Sequence, residues 1–438
     1  MNAQYETITE NYAPAAQSGF TPTPEQRLAI DAIVEFVSAP TTESWYFCFV
    51  GYAGTGKTSC MREVVARFSS SRTKFAYTAP TNKAAKVLKA MTGEASTIYS
   101  LLGLRVDKNG ETKRVVGGKT IDLSDLDVIV VDEASMVNAH LFGILNDVAA
   151  KWGLRVVFMG DLAQLPPVGE SASYALTGGD GARLSRVMRH DNQILSLATR
   201  IREVIEHPAP SIQIRSDNDG QQGVWKMTKF EFKKSIFDAA QHGEFADGAK
   251  SKVISWRNKL VNEYNNIIRA AIFGAEAVPG YFLPGDRIVA GAPCERGDEL
   301  LMTTDEEAIV ESIAVTVHPF EPKYKAIELK CVTESNRIAR LLVIHPESLE
   351  ESNRDAEGLA HEARGNSRSW KRFWEHKELF HDVRYAYAIT AHRSQGSTYE
   401  QVWVDASDIL FNRNRKEAFQ CLYVASTRPT TKLMLALG

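Results

Sequence analysis

Short apolar runs alternate with helix-patterned segments from Thr23 to about Ala175, the rhythm of an α/β domain built on a mostly parallel sheet. The runs Tyr46 to Val50, Phe75 to Thr78, Val128 to Val131 and Arg155 to Met159 predict strands, and Ser59 to Phe68 predicts a helix. Val128-Ile129-Val130-Val131 has no polar member, as expected of a strand buried on both faces. Between Gly103 and Ser124 the composition shifts to Lys, Gly, Thr and Val, with Lys108-Asn109-Gly110 in the middle. Asn-Gly favours a tight turn, so a small β-hairpin insertion is expected there.

A second block begins near Gly181. Lys252 to Ser255 predicts a strand and Asn258 to Phe273 a helix; α/β character returns from Tyr385 to the C-terminus. Between them lie strand-like runs at Ala308 to Val317, Tyr324 to Val332 and Ile338 to Ile344, then a charged helical stretch from Glu347 to Lys377. The expected organisation is therefore a loose arm (1–20), a first α/β domain (21–180, hairpin about 103–124), and a second (181–295 and 378–438). A β-rich domain (296–377) is inserted into the second. The first 19 residues, rich in Asn, Gln, Ala, Pro and Ser, lack the basic and apolar regions of an export signal.

With 438 residues, 44 % of them hydrophobic, the chain can bury two or three cores. Its 51 basic and 54 acidic residues leave a net charge of −3, so any polyanion partner must be met by a local groove rather than a bulk field. Five scattered cysteines show neither metal-site nor disulfide spacing, which fits a reducing cytoplasm. No uncharged stretch reaches the length of a membrane span, so no membrane partner is expected.

Gly51-Tyr52-Ala53-Gly54-Thr55-Gly56-Lys57-Thr58 is a complete Walker A loop between an apolar run and a helical segment. Its glycines let successive backbone N–H groups face phosphate oxygens, and the helix N-terminus starting near Ser59 adds positive potential. These features point to a nucleoside triphosphate, with Lys57 reaching the β- and γ-phosphates and Thr58 ligating Mg²⁺. Asp132-Glu133 closes the apolar strand, placing one carboxylate at the Mg²⁺ and the next where it can orient and deprotonate water. In Gly160 to Gly169, after the next strand, the Gln164 amide is a candidate γ-phosphate sensor. Thr23-Pro24-Glu25-Gln26 has capping-box spacing; capping alone explains it as well as a second reading in which the Gln26 amide also meets the adenine edge.

Further motifs follow in order: Ala79-Pro80-Thr81-Asn82-Lys83-Ala84-Ala85-Lys86, Leu184-Ser185-Arg186-Val187-Met188-Arg189, Tyr385 to Ser397 with Ala391-His392-Arg393-Ser394-Gln395-Gly396, and Leu422-Tyr423-Val424-Ala425-Ser426-Thr427-Arg428. Together with the P-loop and Asp132-Glu133, this ordered set resembles superfamily 1 DNA helicases, specifically the RecD-like 5′-to-3′ class and the Dda-like group within it. The resemblance runs from about Thr23 to the C-terminus. It implies two RecA-like P-loop domains with ATP in the cleft between them, a hairpin insertion in the first and an SH3-like insertion in the second.

The same resemblance makes Arg189 and Arg428 arginine fingers and puts Gln395 and Gly396 near the γ-phosphate. It lays single-stranded DNA along Pro80, Thr81, Asn82, Ser96, Thr97, Ser100, Asn258, His392 and Ser394. Small hydroxyls, amides and helix N-termini can hold phosphates without reading bases, as a translocating enzyme requires. Lys83, Lys86 and Lys89 share one helix face, and a solvated face is the commoner reason for such spacing. The hairpin, a strand-separating pin in relatives, has no aromatic residue between Leu104 and Leu126, leaving Val115, Val116 or the backbone to act sterically.

The implied partners are single-stranded and forked duplex DNA, with a single-strand-binding protein or replication and recombination factors, and the implied state is a monomer. A single-strand translocase that unwinds poorly is the alternative reading. A GTPase-type switch is disfavoured, because Asn82-Lys83-Ala84-Ala85 and Asn258-Lys259-Leu260-Val261 both lack the aspartate of a guanine clamp.

Overall fold

The computed structural model describes residues 20–39, 44–106, 112–114, 121–186, 193–207, 212–297, 299–365 and 369–437. Residues 1–19 of the expected N-terminal arm, Lys108-Asn109-Gly110, Val115, Val116, Val187, Met188 and Arg189 lie outside them. Two compact units are present: one of Met1–Tyr77, Asp122–Leu162 and Pro167–Met188, the other of Thr78–Ile121, Ala163–Pro166 and Arg189–Gly438. No helix among the described residues is long and apolar enough to cross a membrane. All five cysteines are buried and free.

In the first unit, strand Tyr46–Gly51 runs parallel to Arg155–Gly160 on one side and Asp180–Leu184 on the other, and Val128–Val131 runs parallel to Arg155–Gly160. Val128 to Val131 are fully buried, as their unbroken apolar run requires. Asp180–Leu184 spans the expected boundary at 180/181 and serves as a neighbour of the P-loop strand. Helix Pro24–Ser38 opens with a complete capping box, Thr23 with Gln26, and Pro24 at its first position. Its buried Ala29, Ile30, Ile33 and Phe36 recur at the helical period.

In the second unit a six-stranded sheet has the order Ala388–Thr390, Ser251–Ser255, Tyr399–Val404, Pro429–Ala436, Gly223–Met227, Asp217–Asn218. Its neighbours pair in parallel except at the last edge. Helices Lys229–Gln241 and Asn258–Phe273 bury Phe232, Ile236, Tyr264 and Ile268 against it. Strand Phe75–Ala79 ends in this unit, where Thr78 and Ala79 pair with Ser96 and Thr97.

The β-rich segment is a separate antiparallel sheet of five strands in the order Ile338–Ile344, Lys325–Thr333, Glu307–Val317, Arg287–Ala290, Val383–Tyr385. Alternating burial along Lys325–Thr333 puts Ile327, Leu329 and Cys331 into the core shared with Ile288, Val310 and Leu341. The expected charged helical stretch contains two helices, Pro346–Gly365 and Trp370–Lys377. The expected hairpin forms between Leu104–Val106 and Thr112–Arg114, with Val106 opposite Thr112.

Candidate functional site

The P-loop in the first unit is shaped by residues without side chains. Gly54 and Gly56 have φ of 77° and 85°, the left-handed region that favours glycine. Gly56 stands immediately before helix Lys57–Arg67, and a Cβ there would sit 2.7 Å from the Gln26 amide nitrogen. That amide is buried and used at both ends: its oxygen accepts from Thr23 N (2.9 Å) and its nitrogen donates to the Thr55 carbonyl (3.0 Å). Gln26 therefore ties the first helix to the loop, and capping is only half of its work. Thr55 is buried, its hydroxyl donating to Tyr52 O at 2.9 Å; Gly51 is buried too, while Ala53, Thr58 and Ser59 are partly accessible.

Lys57 arches over the loop, donating from Nζ to Gly51 O at 2.6 Å and Tyr52 O at 3.2 Å. Asp132, at the end of Val128–Val131, feels this ammonium. Burial first and the adjacent Glu133 second push its carboxyl up to about 6, while Lys57 pulls the other way. A partly buried carboxylate at Asp132 whose charge is disfavoured, beside the glycine-lined loop, suits a divalent cation. The residues present thus fit a nucleotide with Mg²⁺. Glu133 has φ of 51°, rare for a residue with a side chain, and begins the short helix Ala134–Met136. Glu25, in the first helical turn, accepts from Ser185 N and Oγ, both at 2.7 Å, and from Arg186 N at 3.2 Å, which anchors the start of the Leu184 to Arg189 motif.

In the second unit, Thr81 caps helix Asn82–Thr92 by accepting from Ala84 N (3.2 Å), and Thr97 caps Ile98–Leu101 by accepting from Ser100 N (3.0 Å). Both hydroxyls are committed to the backbone, leaving partly accessible Pro80 and Ser96 and exposed Asn82 and Ser100 around them. Exposed Asn258 starts the long helix Asn258–Phe273. Burial holds the His392 imidazole below its ordinary range against the opposing pull of Glu417, 3.6 Å away.

Two expectations change. Ser394 was expected at the DNA strand, yet it is fully buried and its hydroxyl donates to Ala391 O at 2.7 Å. Its backbone N–H donates to the same oxygen at 3.2 Å, so the side chain folds back on the turn His392–Ser394 and faces inward. Lys83 was expected on a solvated face, yet its ammonium pairs with Glu307 at 3.1 Å and is largely shielded; exposed Lys86 pairs with Glu334 at 2.6 Å.

Gln395 and Gly396 pack within this unit. Gln395 Nε2 donates to Leu165 O at 3.1 Å, and Gln420 Nε2 donates to the backbone oxygen of Gln164 at 2.9 Å. The Gln164 side chain is buried, and its amide oxygen has no hydrogen-bond partner among the described residues. Arg428 is also buried. Its guanidinium donates to Val424 O (3.0 Å), Ser397 O (3.1 Å) and Thr427 Oγ1 (3.1 Å), all neutral acceptors.

Asp408 is a residue that the motifs did not reveal. Its buried carboxylate accepts from Ser255 Oγ (2.6 Å), Trp256 N (2.8 Å) and Arg257 N (2.9 Å), and it pairs with the Arg257 guanidinium just ahead of Asn258. Burial alone would raise its pKa; these hydrogen bonds, led by that from Ser255, hold it below the ordinary carboxylate value. The available signal was Asp405-x-x-Asp408 directly after an apolar strand.

Two family descriptions match the chain. Residues 22–214 match the AAA domain family, and residues 385–436 match the UvrD-like helicase C-terminal domain. The chain is 24 % identical to protein R530 of Acanthamoeba polyphaga mimivirus, over 93 % of this chain and 98 % of that one. It is 26 % identical to the ATP-dependent DNA helicase dda of Enterobacteria phage T4, over 86 % and 91 % respectively. A solved structure of two coordinating Pif1 helicases acting on forked duplex DNA shares the fold, with a TM-score of 0.50 and 15 % identity over 95 % of this chain and 92 % of that one. The chain thus carries an AAA domain followed by a UvrD-like helicase C-terminal domain, and it is similar, broadly, to superfamily-1-like DNA helicases of the Pif1, RecD and Dda kinds.

Proposed function

We propose that this ATP-dependent DNA helicase, which translocates on single-stranded DNA and unwinds duplex, steps 5′ to 3′ and belongs to the Dda-like group. The observation that carries the nucleotide site is the loop itself, in which Gly54 and Gly56 take the left-handed backbone and Gly56 leaves room only for the Gln26 amide, with the Lys57 ammonium folded over its carbonyls. Gly51, Ala53, Gly54, Thr55 and Gly56 cradle the phosphates, Ser59 lies in the first turn behind them, and Lys57 neutralises the β- and γ-oxygens. Thr58 and Asp132 hold Mg²⁺, which supplies charge neutralisation at the phosphates when bound.

Glu133 orients and deprotonates the attacking water. Gln164, whose amide oxygen has no partner among the described residues, senses the γ-phosphate together with Gln395 and Gly396. Arg428, a buried cation whose hydrogen bonds among the described residues go to neutral acceptors, and Arg189 supply the positive charge demanded by the phosphoryl transition state. Pro80, Thr81, Asn82, Ser96, Thr97, Ser100, Asn258 and His392 track the strand through its backbone. The β-rich segment is assigned as an SH3-like insertion within a second RecA-like domain, and the enzyme acts as a monomer in the cytoplasm.

Two forked substrates, one with a 5′ tail and one with a 3′ tail, test the polarity. Unwinding restricted to the 5′-tailed fork is expected; preference for the 3′ tail overturns the assignment. ATP turnover should rise many-fold with single-stranded DNA, and equal rates with and without it overturn the motor reading.

A further inference from the structure

We propose that the segment from Phe411 to Lys416, a loop with the first turn of the helix that follows it, is a further single-strand contact, in which the Phe411 ring stacks on a base while Arg413, Arg415 and Lys416 meet the flanking phosphates. This inference rests on the helicase reading and extends it to residues outside the helicase motifs. The loop follows helix Ala406–Ile409, at the carboxyl end of strand Tyr399–Val404. The parallel neighbour Ser251–Ser255, and Ala388–Thr390 beyond it, deliver Asn258 and His392 to the same carboxyl end of the sheet: Ala391 N donates to Ser255 O at 2.8 Å, and Asp405 N to Ile254 O at 2.9 Å.

The loop is pinned at both ends. Phe411 N donates to Asp408 O at 3.2 Å, and Asn414 caps helix Arg415–Ser426 by accepting from Glu417 N at 3.3 Å. Glu417 in turn lies 3.6 Å from His392. At the other side, the Arg257 guanidinium lies 4.8 Å from the centre of the Phe411 ring. The loop therefore runs between two expected strand contacts, Asn258 and His392.

Its chemistry suits an unpaired strand. Phe411 is 68 % exposed, a large apolar surface left in water on a segment whose backbone is fixed. Arg413, Arg415 and Lys416 are all exposed, so three cations crowd into four residues of a chain whose net charge is −3. An aromatic face flanked by cations is what binds single-stranded nucleic acid without reading sequence; duplex bases are already stacked and would leave the ring unused.

Fluorescence anisotropy with an oligo(dT) and an abasic oligomer of equal length tests this. Phe411→Ala should weaken oligo(dT) binding about tenfold and abasic binding by less than about twofold. Phe411→Trp should restore affinity, its indole emission being quenched by oligo(dT) alone. Arg413→Ala with Lys416→Ala should weaken both oligomers alike and flatten the slope of log K against log salt by about 1.4, at about 0.7 per phosphate contact. Normal binding of both oligomers by Phe411→Ala overturns the loop's role while leaving the helicase reading intact, and equal weakening on both overturns the stacking. A wild-type protein that binds neither oligomer overturns the helicase reading and this inference together.

Discussion

Lys252 and Glu307 form an enclosed ion pair, the ammonium lying 2.9 Å and 3.1 Å from the two carboxylate oxygens, with both side chains almost wholly shielded from solvent. Lys252 also donates to Ala386 O at 2.6 Å, while Glu307 takes Lys83 (3.1 Å) and Arg287 (3.3 Å). One carboxylate thus holds three cations, joining the start of helix Asn82–Thr92, a sheet strand and the β-rich segment. Glu307→Gln should cost about 3–5 kcal/mol in urea unfolding, because buried cations lose their counter-charge.

The same carboxylate predicts an acid limb in stability. Burial alone would raise its pKa, but Lys252, Lys83 and Arg287 outweigh that and hold it at about 2, against an ordinary 4.5. The unfolded chain then takes up this proton first, so the contribution is complete above pH 4.5 and drains away as pH falls from 4.5 towards 2. Denaturation midpoints of Glu307→Gln should show a shallower fall over that window than wild type.

Gly56→Ala should abolish detectable nucleotide binding with little loss of global stability. The new methyl meets the Gln26 amide at 2.7 Å, on a backbone with φ of 85°. Titration with a fluorescent ATP analogue and a thermal melt on the same sample separate the two effects.

Arg428→Lys should fail as badly as Arg428→Ala. The guanidinium spreads its donors over three acceptors, a fork that a single ammonium cannot reproduce. Turnover is expected to fall at least about a thousandfold in both variants, with ATP affinity changed far less, in single-turnover kinetics with single-stranded DNA present.

Asp408→Ala should destabilise the protein by about 3 kcal/mol, because Ser255 Oγ, Trp256 N and Arg257 N lose their shared acceptor. Asp408→Asn, which keeps one oxygen, should lose less. Urea titrations of the two variants make the comparison.

Local signals carried most of the fold. Val128–Val131, Asn258–Phe273 and Ile338–Ile344 have the bounds that their apolar pattern predicts, because burial period and turn chemistry are written in neighbouring residues. The P-loop geometry was equally legible, since only glycine satisfies it. Long-range electrostatics were not. Nothing beside Lys83 in the chain announces Glu307, 224 positions away, and Asp408 reaches Trp256 and Arg257 only because two parallel strands end together. Ser394 was misjudged for a related reason: a hydroxyl in a motif reads the same whether it faces solvent or closes its own turn.

Gly396 has φ of 70°, and a Cβ there would lie 2.8 Å from that of Ala84 and 3.3 to 3.4 Å from Ala84 backbone atoms. Bare peptide rests against a methyl group in the first turn of the helix capped by Thr81, with no rotatable side chain between them to act as a cushion. Close-packed surfaces of this kind pass displacement on instead of absorbing it. A nudge to the turn after His392 therefore reaches Thr81 and Asn82 with almost no slack, like meshed teeth without backlash.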